Sequence, residues 1–211
     1  SFVYSAAWNP DGTYIATAGL DGTAWVWETH GKKGIVRLEH ESPVVSVSFS
    51  PDGKYLATAS GDRTARVWEL ATTKEVSRLR HVGWNFKGVL FSQDDKHVVT
   101  GDSDNTARVW ELPSGREISL LRHQAPIVSV SVSPDGKYVA TASYDKTARV
   151  WELPGGREIS QLRHGDKVYA VAFSSNGKYV ATASFDLTAR VWAATSGKEV
   201  SRLQNEGMAG S

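Results

Sequence analysis

An aspartate stands six residues before a tryptophan five times in this chain: Asp21 before Trp27, Asp62 before Trp68, Asp104 before Trp110, Asp145 before Trp151 and Asp186 before Trp192. His40, His81, His123 and His164 precede the last four of these pairs. Hydroxyls such as Thr58, Ser60, Thr141, Ser143, Thr182 and Ser184 fall between histidine and aspartate. Carboxylate, imidazole and hydroxyl are the parts of a Ser-His-Asp nucleophile, where the carboxylate orients the ring and the ring takes the hydroxyl proton. Recurrence argues against that chemistry. A nucleophile is needed once, in a cleft, whereas this set returns in nearly every unit, so no catalytic residue is expected. No metal site is expected either, because histidines about 41 residues apart provide none of the close ligand pairs such sites use. No cofactor is implied.

The elements that position these residues follow from an internal repeat. "TARVW" ends at Trp68, Trp110, Trp151 and Trp192, and a variant, "TAWVW", ends at Trp27. The intervals of 41, 42, 41 and 41 residues leave no room for a linker. Residues 1–211 are therefore expected to form a single domain of five units, at about 1–41, 42–82, 83–124, 125–165 and 166–205. Longer copies keep the register: "FSPDGKYLATASGDRTARVWEL" matches "VSPDGKYVATASYDKTARVWEL", and "GREISLLRH" matches "GREISQLRH". The single extra residue falls near "HVGWNF".

Each unit holds four strand-length segments punctuated by turn chemistry. In the second unit, "VVSVSF" stops at "SPDG", where proline presets φ and glycine accepts φ > 0. "YLATAS" closes at "GDRT", "ARVWEL" follows, and "EVSRL" ends the unit. Short, evenly spaced strands with a period near forty predict an all-β propeller of four-stranded blades. A helical solenoid is excluded, since no unit has a ten-residue stretch of 3.6-residue periodicity free of turn residues.

The units resemble WD repeats, with Trp-Glu in place of Trp-Asp and Arg-His in place of Gly-His, and the resemblance covers essentially the whole chain. The near-identical copies and the "TARVWE" wording are most similar to bacterial WD-repeat proteins, whose arrays often sit behind a kinase or nucleotide-binding signalling domain. The resemblance implies that aspartate holds histidine, histidine meets a strand-b hydroxyl, and that hydroxyl meets the indole N–H, as a structural network inside the blade. Two units depart from it. No histidine precedes the first unit, and Asn205 stands where "RLRH" has its histidine.

The resemblance also implies a protein-interaction scaffold or sensor. The residue before each repeated aspartate, which in this family lies on the partner-binding rim, is Leu20, Gly61, Ser103, Tyr144 or Phe185. Leu20, Tyr144 and Phe185 are candidate anchors, with Trp84 and Phe86 beside the extra residue expected to extend the surface. The inner strands offer Ser46, Ser48, Ser129 and Ser131 and, apart from Lys87, almost no charged groups, which argues against an enzymatic channel. Trp25 replaces the arginine found at Arg66, Arg108, Arg149 and Arg190 and is expected to pack on a neighbour, while the arginines pair with acids or cover apolar surface.

Bulk properties narrow the partners. A formal net charge of +1, from 24 basic and 23 acidic residues, exerts no global pull on nucleic acid or anionic lipid. The sequence contains no cysteine, which fits a reducing compartment. It has no basic-then-apolar leader and no apolar run near the ~18 residues of a membrane span. The expectation is a soluble cytoplasmic protein whose partner is another protein or a second copy of itself.

The strand phase allows a closed five-bladed ring, an arc completed by self-association, or a piece of a longer array. No blade shares strands from both ends of the chain. The missing leading histidine and the tail "NEGMAGS" favour a fragment, with homo-oligomer formation expected.

Overall fold

The computed structural model describes residues 2–31, 34–83 and 86–204. They form five four-stranded antiparallel sheets with strands in chain order, and no helix occurs among the described residues. The first sheet comprises β1 (Val3–Trp8), β2 (Tyr14–Gly19), β3 (Thr23–Glu28) and β4 (Gly34–Glu39), and the second β5 (Val44–Phe49), β6 (Tyr55–Ser60), β7 (Thr64–Glu69) and β8 (Lys74–Arg80). The third holds β9 (Phe86–Phe91), β10 (His97–Asp102), β11 (Thr106–Glu111) and β12 (Arg116–Arg122), and the fourth β13 (Ile127–Val132), β14 (Tyr138–Ser143), β15 (Thr147–Glu152) and β16 (Glu158–Arg163). The fifth is β17 (Val168–Phe173), β18 (Tyr179–Ser184), β19 (Thr188–Ala193) and β20 (Glu199–Gln204).

Side-chain caps set the turns. Between β5 and β6, Asp52 accepts from the Ser50 hydroxyl at 2.8 Å and from the Lys54 N–H at 3.0 Å, and Gly53 takes φ 72°. Between the second and third strands of the second sheet, Asp62 Oδ1 accepts both the N–H and the hydroxyl of Thr64, at 2.9 and 2.6 Å. That grip holds the intervening residue left-handed: Gly22 in the first sheet, but Arg63, Asn105, Lys146 and Leu187 in the others. A side chain there costs roughly 1–2 kcal/mol, which the aspartate bonds and the paired strands offset.

Neighbouring sheets pack face to face, small residues against large. At the first joint the leading sheet offers Ala16, Ala18, Ala24, Val26 and Leu38, and the following sheet covers them with Val44, Val47, Phe49, Leu56 and Trp68. The alanines let the sheets approach closely enough for the indole to fill the space between them. Trp110, Trp151 and Trp192 close the next three joints over Leu79, Leu121 and Leu162.

The fifth sheet does not return onto the first. Among the described residues, no strands of the two pack together as neighbouring sheets do, and Tyr4, Trp8, Val200 and Leu203 are exposed. The blades form an open arc, not a closed ring.

Candidate functional site

Each of the second, fourth and fifth sheets carries the same buried relay. In the second, Trp68 Nε1 donates to Thr58 Oγ1 at 2.9 Å, Thr58 Oγ1 lies 2.7 Å from His40 Nε2, and His40 Nδ1 lies 2.9 Å from Asp62 Oδ2. The fourth links Trp151, Thr141, His123 and Asp145 at 2.8, 2.7 and 2.8 Å. The fifth links Trp192, Thr182, His164 and Asp186 at 2.8, 2.7 and 3.0 Å. One proton order serves every member: the indole donates to threonine, threonine to Nε2, and Nδ1–H to the carboxylate. The histidine is neutral in that order.

The electrostatics agree. Desolvation lowers the pKa of His40 and of His164, outweighing the pull of their aspartates. Burial alone would raise Asp62, but hydrogen bonds from Thr64 and His40 overcome it and bring the carboxyl down to about 2. Asp145 and Asp186 are lowered in the same way, desolvation being outweighed chiefly by bonds from His123 and Thr147 to the first and from Thr188 and Gly165 to the second. Arginine completes the set: Arg66 reaches Asp62 at 2.9 Å and Arg190 reaches Asp186 at 2.8 Å, each guanidinium lying about 6 Å from the ring centroid of its blade's tryptophan.

Two sheets depart from the pattern. In the first, Trp27 donates to Thr17 Oγ1 at 2.9 Å and Asp21 caps Thr23, while Asn205 lies outside the described residues. Trp25 stacks on Trp27 with centroids 5.3 Å apart. In the third, Trp110, Thr100 and His81 connect at 2.8 and 2.8 Å, but Asp104 does not hold the histidine. Asp104 instead caps Thr106 and pairs with Arg108 at 3.1 Å. His81 Nδ1 takes an N–H from Arg108 at 2.9 Å and lies 3.4 Å from Asp102. The expected Asp104–His81 contact is thus corrected. Asp102 occupies the position of Ser60, Ser143 and Ser184, and its fully buried carboxylate takes the ground beside the ring.

These relays are closed to substrate. The side chains of His40, His81, His123 and His164 expose none of their surface. An imidazole that no solvent reaches has no substrate hydroxyl or carbonyl to act on. Among the described residues, no group of three or more His, Asp or Glu side chains could hold a metal ion, and no helix is long and apolar enough to cross a membrane.

The accessible chemistry is aromatic. Tyr144 and Phe185 are exposed and meet edge to face with centroids 6.4 Å apart. Tyr169 stacks its edge on Phe185 at 5.3 Å, Lys167 Nζ lies 5.2 Å from the Tyr144 ring, and Leu187 is exposed beside them. Tyr169 was missed in the sequence because it sits inside a strand. Its slot nevertheless varies among units as Tyr4, Val45, Lys87, Val128 and Tyr169, the same disagreement that marked Phe185.

Of the other candidates, Leu20 is exposed on the first sheet, beside His40 and Pro43. Phe86 is not on the rim. It is 3% exposed and packs against His81 with centroids 4.4 Å apart, because the first strand of the third sheet turns it into the joint with the second. Trp84 lies outside the described residues.

The family model described as "WD domain, G-beta repeat" matches the chain at residues 1–28, 33–69, 74–111, 115–152 and 156–193. No curated protein matches it.

Proposed function

Since the chain belongs to the WD domain, G-beta repeat family, we propose that it is a non-catalytic protein-interaction scaffold whose partner docks on the Tyr144–Phe185–Tyr169 rim. The observation that carries this is the exposed, mutually packed aromatic cluster spanning the fourth and fifth blades. Held by its neighbours, each ring loses little freedom on binding while offering a large apolar area. Lys167 above Tyr144 places a positive charge at the margin, suiting a partner segment with a bulky apolar residue next to a carboxylate. The chain acts in the cytoplasm within a larger signalling protein.

Panning a displayed random-peptide library against the chain tests the proposal. Selected peptides carry a large apolar anchor and lose at least about tenfold in affinity for Phe185→Ala or Tyr144→Ala, roughly 1.4 kcal/mol or more. Peptides that bind wild type and both variants equally would overturn the rim assignment.

A further inference from the structure

We propose that the joint between the second and third blades takes the side chain of a lysine from a bound protein segment. Tyr55, Val67, Val76, Leu112 and Pro113 wall a cavity of about 130 Å³ there, and Asp95 and Lys96 complete its lining. That is many times the roughly 10–15 Å³ that admits one water. The turns joining the first strand to the second and the third to the fourth build it, so it lies at the opposite end of the blades from Tyr144 and Phe185. Only the protein source of the lysine rests on the scaffold reading; the cavity is independent of the rim.

Asp95 sets this joint apart. The same turn position is Gly53, Gly136 and Gly177 in the second, fourth and fifth blades, at φ 72, 70 and 69°. Asp95 keeps the left-handed backbone, φ 59°, which costs a side chain more than it costs glycine. The carboxylate does not offset that cost within its own turn, because Asp94 already accepts the Ser92 hydroxyl and the Lys96 N–H. Asp95 instead reaches across the joint, where its Oδ1 accepts the Asp52 N–H at 3.2 Å. A backbone outlier whose side chain lines a cavity points to a ligand.

The carboxylate lacks a counter-ion. Lys54 is held by Asp52 at 2.9 Å and Lys96 is exposed, and among the described residues neither pairs with Asp95. Burial raises the Asp95 carboxyl above its ordinary value against the pull of the Asp52 N–H, and the charges of Asp52 and Asp94 add to the rise. A cation beside it would relieve both. The apolar walls call for that cation on an aliphatic stem. A guanidinium seeks a fork of two oxygens, and Oδ1 is already engaged by Asp52, so the compact ammonium of lysine fits better than arginine. Its methylenes lie between Tyr55, Val76 and Leu112.

The test is a titration of the ¹⁵N-labelled chain with Nα-acetyl-lysine methylamide, followed by amide chemical shifts. The probe is expected to shift the Asp52, Lys96 and Leu112 amides saturably. Asp95→Gly and Asp95→Asn each weaken it at least about tenfold. Asp95→Gly supplies the residue that the neighbouring blades carry at this turn, so folding is not at stake. Nα-acetyl-norleucine methylamide, an aliphatic stem without the ammonium, binds at least about tenfold more weakly than the lysine probe. Phe185→Ala leaves the titration unchanged, so the cavity and the rim are judged separately. A lysine probe that leaves the three amides unmoved overturns the site. So does equal binding to wild type and Asp95→Gly, equal binding of the two probes, or a titration altered by Phe185→Ala.

Discussion

The Arg108 guanidinium donates to His81 Nδ1 across 2.9 Å, and this contact reverses the proton order of the third blade. A guanidinium cannot accept, so Nδ1 carries the lone pair and Nε2–H donates to Thr100. In the second, fourth and fifth blades the ring hydrogen lies instead on Nδ1, facing aspartate. Repeats alike in sequence thus hold two tautomers, and the buried carboxylate of Asp102 marks the one that differs.

Long-range ¹⁵N–¹H correlation of the imidazoles reads this directly. His40, His123 and His164 are expected in the Nδ1–H form and His81 in the Nε2–H form near neutral pH. One common tautomer for all four would refute the reversed order.

Removing the repeated aspartate should cost different amounts in different blades. Asp145→Ala takes away the partner of His123, Thr147 and the Gln124 N–H at a buried position, and a loss of roughly 1–3 kcal/mol is expected. Asp104→Ala leaves His81 its contacts and should cost clearly less. Urea midpoints of the two variants make the comparison, and equal losses would count against it.

Acid should weaken the fold in two stages. The folded pKa of His40 and of His164 lies below the ordinary 6.5, so as pH falls the unfolded chain takes up these protons first. Stability is full above that value and declines below it. Asp62, at about 2 against an ordinary 3.8, adds a second loss between those two values, and the lowered Asp145 and Asp186 act in the same direction. Urea midpoints from about pH 8 downward should show a plateau, a decline beginning near 6.5 and a steeper one below about 4. A midpoint flat through the histidine window would show that burial does not hold these rings neutral.

Making the third blade more like its neighbours should harm it. Gly101 stands where Ala59 and Ala142 do, but a Cβ there would lie 2.7 Å from Val130 Cγ1. Valine is stiff at χ1 and has little room to yield, so Gly101→Ala is expected to destabilise by about 1–3 kcal/mol through overpacking. Thermal melting checks the sign, and a rise in melting temperature would show that the joint relaxes freely.

Tryptophans recurring near every forty-first residue, with Asp-Gly turns between short β-branched runs, determined the blades, their strand order and the relay residues of the second, fourth and fifth blades. Those signals are local: turn dihedrals, alternation and period survive in a linear string. Other features were decided only when the sheets packed. Phe86 looked like surface beside a tryptophan, yet its strand carries it into a joint. Asp102 takes the position beside His81 because of a cross-strand neighbourhood, and Tyr169 joins Phe185 because two strands of the fifth blade bring them together. Whether the ring closes depends on a rotation summed over four joints, which no single residue encodes. Among the described residues the contacts between sheets run only from each blade to its neighbour in the chain, because each buries its face against the sheet that follows it, and the fifth does not pack on the first as neighbours do.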